Sequence, residues 1–552
     1  MTMKYASSLA IVTLSALLGA CGDKPAPVQV GAEPQLPEPQ RGLLPDMVIA
    51  KPAPWGDKVP VVPAGYTVTA IATDLKIPRQ TLVLPNGDIL VAEGRGGMAP
   101  DLKPKDVIAA VIKAKGTSPV KGGNRLTLLR DADGDGKYET STVFAENLNA
   151  PYGLALVDNI LYVANQDALV RFDYKEGQTQ ASGPAQVVTL LPSEINHHWT
   201  KSLAASADGQ YLYVGIGSNS NITERGMTAE VDRAMVWRVN ARTGEHKAYA
   251  TGLRNPTALT IQPETGQLWA VVNERDEIGP DLVPDYLTSV REGAFYGWPY
   301  SYWGQNADDR VRPQNPDKVA AAVKPDYALG SHVAALGVDF STETMGTQFA
   351  NGVFVGEHGS WNRKDPVGYK VVFVPFSQGR PSGQPVDFVT GFRDDDGTTR
   401  GRPVGMTVDP RGALIVADDL ANTIWRVAPT QAVSAPPAAA PVTPPATLPM
   451  TPPVTPVDPA TGAQPGAQTP PAHPAPMGPP APPGAPGGRR WVAPPAGDRR
   501  TAAALAGAAV LPGSHRHRSR SEFPADLQRH GAYARPRGDG PGAGPGDECQ
   551  WP

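Results

Sequence analysis

Chemistry-bearing residues in this chain sit in short polar segments that precede apolar ones. Asn196-His197-His198-Trp199 lies just before the apolar run at Leu203. Adjacent histidines in a loop suit a general base near neutral pH, because imidazole titrates there; such a pair also serves purely structural roles. Arg254-Asn255-Pro256 stands at the matching place before the next apolar run. A guanidinium there suits an anionic ligand through charge-assisted, bidentate contact. Glu274-Arg275-Asp276-Glu277-Ile278-Gly279-Pro280-Asp281 follows, and continues to Asp285. Dense carboxylates with Gly-Pro carbonyls suit calcium, a hard cation taking about six to eight oxygens, and equally suit a solvated acidic loop. Ala294-Phe295-Tyr296-Gly297-Trp298-Pro299-Tyr300 either lines a pocket or fills space between elements. Asp131-Ala132-Asp133-Gly134-Asp135-Gly136 with Glu139 reads as a calcium loop or as a hairpin turn. Asn219, Asn221 and Glu224 follow another apolar run and are placed to rim a cleft.

The elements that must position these groups form a repeat. A polar or Pro-containing turn, a short apolar strand, an Asp/Asn/Gly turn and a second β-rich strand recur six times. The copies begin near Ile77, Ala150, Leu203, Arg254, Val333 and Arg402. Their spacing is irregular, as loop insertions produce. Two strands of a meander cannot bury both faces alone, and radial stacking solves that problem. The expected fold is therefore all-β, a six-bladed β-propeller over residues 61–428. A β-sandwich would not repeat at this period.

Composition narrows the rest. The chain has 552 residues, with 61 prolines, 58 glycines, 2 cysteines and a net charge of -4. That charge gives no basic footprint for nucleic acid. Two cysteines cannot build a disulfide framework, an iron–sulfur cluster or a tetrathiolate zinc site, and no CxxCH attaches a haem. Lys4 precedes an apolar run to Ala20, which fits a secretory leader over 1–20. Leu18-Gly19-Ala20-Cys21 resembles a bacterial lipobox, which implies cleavage before Cys21 and lipidation of its thiol. Gly22 at the next position favours the outer membrane. Residues 21–60 then read as a lipidated, Pro-rich tether, with the propeller in the periplasm. After residue 430 come 28 of the prolines and no lysine. The stretch 429–552 reads as a disordered Pro/Ala/Arg-rich tail; a functional basic tail and a shifted reading frame are the alternatives.

In order along the chain, the motifs resemble the PQQ-dependent glucose/sorbosone dehydrogenase family, which includes soluble aldose and pyranose dehydrogenases. The likeness runs through the His-His loop, Arg-Asn-Pro, the acidic Gly-Pro loop, Tyr296-Gly297-Trp298-Pro299, Glu357-His358-Gly359-Ser360-Trp361-Asn362-Arg363 and Gly401-Arg402-Pro403-Val404. Each motif is weak singly, and the ordered set is more specific. The resemblance implies a six-bladed propeller that oxidises an aldose or sorbosone-type sugar with pyrroloquinoline quinone (PQQ) and Ca²⁺. It implies His198 as catalytic base, five residues before Leu203, with His197 as fallback. The base takes the hydroxyl proton while hydride passes to the quinone. It implies Arg254 and Asn255 at the quinone oxygens, Arg254 sharing in catalysis. Gly279 and Pro280 would offer carbonyls to calcium, and Asp285 with Tyr296 a second, structural calcium site. Arg402 would hold a PQQ carboxylate. The implied partners are a small sugar, a periplasmic cytochrome or quinone as electron acceptor, and the membrane through the lipid anchor.

The chain departs from that family in places. Val404 replaces the second carboxylate-binding arginine. The Glu357–Arg363 loop lacks the lysine that acts on PQQ, so His358 or Arg363 is the expected substitute. Lys201 stands one residue off another basic position. Two other classes of function fit a propeller: a calcium-dependent lactonase-type hydrolase, and a surface-binding propeller without redox chemistry.

Overall fold

A computed structural model describes residues 29–41, 47, 48, 50–97 and 104–430. The leader, Cys21 and the tail beyond Thr430 lie outside the described residues. Six antiparallel sheets, each a blade, account for nearly all the regular structure. Their inner strands are Pro78–Val83, Gly153–Val157, Lys201–Ala205, Pro256–Ile261, Ala335–Phe340 and Pro403–Asp409. Their second strands begin at Ile89, Ile160, Tyr211, Leu268, Gly352 and Ala413. These pairs are the six sequence repeats. Neighbouring inner strands touch in cyclic order, the sixth against the first, so the ring is closed.

Packing explains why the ring closes. Side chains alternate across a strand, so each blade presents two apolar faces. In Ile89–Glu93, Leu90 and Ala92 pack against the second blade, while Ile89 and Val91 pack against the sixth. The same division holds around the ring, with one buried cluster between each adjacent pair of blades. No blade is left with a bare face. The last blade is completed from the other end of the domain: Tyr66–Ala72 pairs antiparallel with Thr423–Pro429.

The segment expected to be a tether is, where described, part of the fold. Val30–Gly31 adds an edge strand to the fourth blade, and Lys51–Pro52 pairs in parallel with Thr398–Thr399. The Gln40 N–H donates to the Ile278 carbonyl, and the Val48 N–H to the Trp361 carbonyl. Trp55 then wedges between Phe392 and Trp425, and its Nε1 donates to Asp418 Oδ2 at 3.1 Å. Composition marked this stretch as Pro-rich, but a lone buried tryptophan and unpaired strand edges recruit it to the surface of the ring. No helix among the described residues is long and apolar enough to cross a membrane.

Trp55→Ala removes a buried aromatic and a hydrogen bond to a buried carboxylate. It should lower unfolding free energy by about 3 kcal/mol in denaturant titration, and expose residues 30–53 to protease. An unchanged midpoint and digestion pattern would show that the segment is not anchored there.

Candidate active site

Two kinds of connection open on one face of the ring: those that lead into inner strands, and the loops between second and third strands. A cavity of about 280 Å³ lies there. His197 and His198 reach it from the connection into the third blade, and Arg254 and Asn255 from the connection into the fourth. His332 does the same ahead of the fifth blade. The long loop of the fourth blade contributes Asn273, Glu274 and Asp276, and that of the fifth contributes Trp361 and Asn362. Lys113 enters from the first blade.

His198 is held in one orientation. Its Nδ1 lies 2.8 Å from the Ser218 carbonyl, which can only accept, so the proton sits on Nδ1 and Nε2 keeps a lone pair. Arg233 fixes the backbone behind it, donating to the His198 carbonyl at 3.0 Å and to Asn196 Oδ1 at 3.1 Å. Lys201 is fully buried under the same loop and donates to Asn196 Oδ1 and the Trp199 carbonyl, both at 3.0 Å. Burial and the nearby Arg254 charge push the His198 imidazole well below its ordinary range, so it is neutral at pH 7. Burial, with Arg254 and Lys113, pushes His197 down to about 4.

Arg254 is equally constrained. It donates to the carbonyls of Asn221, Asn273 and Glu274 and to Asn221 Oδ1, at 2.7–3.2 Å. Asn221 thus serves as the support for Arg254, and Glu224 in turn accepts from the Asn221 and Ile222 N–H groups. Asn219 accepts from the His197 N–H. Gly217 is required where these loops meet, because a Cβ there would lie 2.3 Å from Asn255 Oδ1 and 2.5 Å from the His198 Cβ. Asp276 sits opposite Arg254 at 3.8 Å, accepts from Asn362 Nδ2 at 2.8 Å, and lies 3.3 Å from His332 Nδ1. Burial opposes ionisation of Asp276, but the His332 hydrogen bond and the Arg254 charge outweigh it and hold the carboxyl far below the usual range. The same pairing raises His332 despite its burial.

Several expected ligands are placed elsewhere. Arg402 donates to the carbonyls of His358, Gly116 and Gly359 and does not line the cavity. His358 pairs with Asp419 at 2.9 Å, and Arg79 pairs with the same carboxylate at 2.9 Å. Arg363 donates to the Pro280 carbonyl and pairs with Asp281 at 2.8 Å. These three therefore hold loops together beside the cleft. Burial, Arg402 and Arg79 push His358 down to about 4 despite its pairing with Asp419.

The expected calcium ligands of the acidic loop have partners within the protein. The carbonyl of Gly279 accepts from His332 Nε2 and that of Pro280 from the Arg363 guanidinium, and each oxygen has a second lone pair. Asp285 accepts from the Glu274 and Ala334 N–H groups, and burial pushes its carboxyl up to about 7. Tyr296 donates to the Ser289 carbonyl. Ser289 and Asp285 are opposite ends of the strand Pro284–Ser289, about 13 Å apart at 3.3 Å per residue. Asp285 and Tyr296 therefore share no site. The loop Asp131–Glu139 gathers four carboxylates with oxygens within 4.8 Å of one another. It joins the third and fourth strands of the first blade, on the face opposite the cavity, and Asp131 accepts from two N–H groups and pairs with Arg411.

The cleft offers unpaired acceptor oxygens beside its cations. Among the described residues, Asn255 Oδ1, Asn273 Oδ1, Glu274 Oε1 and Asn362 Oδ1 are buried without a hydrogen-bond partner, and all four residues line the cavity. Buried polar atoms are normally satisfied, so such a cluster points to an occupant that brings hydrogen-bond donors or a cation. Arg254 and Lys113 supply positive charge beside it. His332 and Lys113 were missed in the sequence. His332 holds the same place before its blade as Arg254 does before its own, and that periodicity was the available signal. Lys113 lies in an insertion with no repeat pattern.

Fold and site together define a six-bladed propeller with a polar ligand cleft on one loop face, lined by Arg254 and Lys113 and by the carboxyls of Glu274, Asp276 and Asp285. The chain belongs to the TrAA12-like family, whose model matches residues 60–284 and 303–430. Its fold is similar to that of the PQQ domain of pyranose dehydrogenase from Coprinopsis cinerea in its holo form, at 20% identity and TM-score 0.55, covering 69% of this chain and 100% of that one. It is similar also to an AA12 carbohydrate-active enzyme of Trichoderma reesei, at 19% identity and TM-score 0.56, covering 70% and 100%. An uncharacterized protein of Borreliella burgdorferi is 28% identical over 295 residues, 51% of this chain and 76% of its own length.

Glu357, next to His358, is 3% exposed, and burial pushes its carboxyl up to about 8. A carboxyl with a raised folded pKa stabilises the fold at low pH, and that contribution is lost as pH rises towards about 8. Glu357→Gln should therefore leave stability nearly unchanged at pH 5 and raise it by a few kcal/mol at most at pH 9, read by thermal unfolding. An equal change at both pH values would refute the burial argument.

Proposed function

We propose that this protein is a PQQ-dependent sugar dehydrogenase, oxidising an aldose or sorbosone-type sugar at its anomeric or aldehyde carbon. The observation that carries the reading is His198: a neutral imidazole, oriented by Ser218, with Nε2 free in a cleft walled by Arg254 and unsatisfied amides. Family membership and the fold shared with a PQQ-holding domain support the cofactor.

PQQ, when bound, supplies a quinone that accepts hydride. His198 takes the hydroxyl proton of the sugar at Nε2, which is the atom left without a proton by the bond to Ser218. Arg254 and Asn255 would lie at the quinone oxygens, where negative charge would grow on reduction, and the hydrogen bonds that fix Arg254 would limit its reorganisation. Arg233 holds the His198 backbone in register. The leader-like segment and Cys21 support a periplasmic, lipid-anchored placement, with a cytochrome or quinone taking the electrons.

Purified protein given PQQ should reduce an artificial dye with an aldose or sorbosone, with and without added Ca²⁺. His198→Ala should cut kcat by about 10²-fold or more while PQQ absorbance stays with the protein. Because His198 is neutral well below the ordinary histidine range, kcat/KM should stay level from pH 7.5 to 6. No dye reduction with any sugar, and no retained PQQ, would sink the reading. A fall in kcat/KM centred on pH 6.5 would argue against His198 as the base.

A further inference from the structure

The chain enters the ring from the cleft face. Val30 lies opposite Leu329 and Gly31 opposite Ala328, antiparallel to the strand Tyr327–Ser331. That strand runs towards His332, which lines the cavity, so the Val30 end of the edge strand is its cleft-face end. Val30 is nine residues beyond Cys21, a reach of about 30 Å at full extension. A lipid on Cys21 therefore holds the cleft face near the bilayer, where a long tether would let the domain swing.

The same face carries an exposed apolar helix surface. The helix Pro104–Lys115 is inserted between the second and third strands of the first blade. Its C-terminal end is fixed to the ring: Arg402 Nη1 donates to the Gly116 carbonyl at 3.2 Å, and Arg95 Nη2 to the Ser118 carbonyl at 2.9 Å. Val107, Ile108 and Val111 are 51%, 46% and 55% exposed. At about 100° per residue these three share one sector of the helix, and Lys115 falls within it. Lys113, which lines the cavity, falls on the opposite side, so the apolar sector points away from the cleft. Met227 and Val231 are also exposed on this loop face, between the second and third strands of the third blade. The helix has 12 residues, too few to span a bilayer. An apolar sector accompanied by lysine is instead the make-up of a helix that lies in the lipid interface.

We infer that the helix Pro104–Lys115 seats its Val107, Ile108 and Val111 face on the lipid bilayer that holds Cys21. The inference rests on the lipid-anchored placement proposed above. A bilayer is the occupant because the nine residues from Cys21 to Val30 already bring this face to lipid. The two attachments lie on different blades, the edge strand on the fourth and the helix on the first. Together they fix the tilt of the ring, with the loop face and its cleft towards the membrane and the opposite face towards solvent.

The test places the photoreactive residue p-benzoylphenylalanine at Val111 in the full chain, expressed with its leader in a bacterium that acylates lipoproteins. Membranes are irradiated, and mass spectrometry reads the adducts together with the acyl groups on Cys21. A phospholipid adduct at position 111 is expected. The same probe at Val187, 63% exposed on the outer strand of the second blade, should give none. Val107→Glu with Ile108→Glu should cut the lipid adduct at least about tenfold, because charge replaces apolar burial. Both side chains are exposed, so the thermal midpoint of that variant should not change. Acylated Cys21 with no lipid adduct at position 111, or with equal lipid adducts at 111 and 187, would overturn the seat and leave the anchor standing. A cross-link from position 111 to a second copy or to another protein, in place of lipid, would also overturn it. Cys21 without acyl groups would overturn both the seat and the lipid-anchored placement, and leave the dehydrogenase reading intact.

Discussion

Ring closure is the constraint on which the rest depends. Every blade has two apolar faces, and each face is buried only by a neighbour. The pairing of Tyr66–Ala72 with Thr423–Pro429 joins the first strand of the domain to the last, so that Ile71 and Ile424 can pack with Ile89 and Val91. Without it, one blade would lack a strand and the interface between the sixth and first blades would lose its outer part. A burial on the order of 25 cal/mol per Å² makes such an interface worth many kcal/mol before entropy is counted. This pairing has high sequence separation, so it carries a loop-closure cost that the interfaces must exceed.

Closure also decides where chemistry is possible. It turns like connections of successive blades towards one face, so residues far apart in the chain become neighbours. His198, Arg254 and His332 precede three consecutive inner strands and meet around one cavity. Carbonyl acceptors then fix these groups: Ser218 orients His198, and Asn221, Asn273 and Glu274 hold Arg254. These supports are mostly backbone carbonyls, and side-chain contacts among Asp276, Asn362 and His332 and among Arg233, Asn196 and Lys201 add to them.

The charge balance of the cleft follows from that arrangement. Arg254, His332 and Lys113 surround Asp276, and their attraction outweighs the desolvation of its carboxylate. The same positive field, with burial, keeps His197 and His198 neutral. A base and its activating cations therefore share one pocket without the base being protonated. The loop that by composition suited calcium is tied down by Arg363 and His332, whose donor groups pack against its carbonyls.

The blade count, the inner strands, and His198 with Arg254 and Asn255 were legible in the sequence. Alternation and turn residues are local signals, and each motif preceded a strand that could be seen. The loss of Arg402, His358 and Arg363 from the cavity was not legible, because each side chain is long enough to turn towards a carbonyl or carboxylate of another blade. Nor was the gain of Lys113, which depends on how an unpatterned insertion folds back, or the docking of Trp55 on Asp418. By itself the sequence determined an all-β ring of six repeats and the polar segments that feed it, because those are set within a few residues of chain. Only the tertiary structure decided which of those polar groups face the same space, because that is set by ring closure and by contacts hundreds of residues apart.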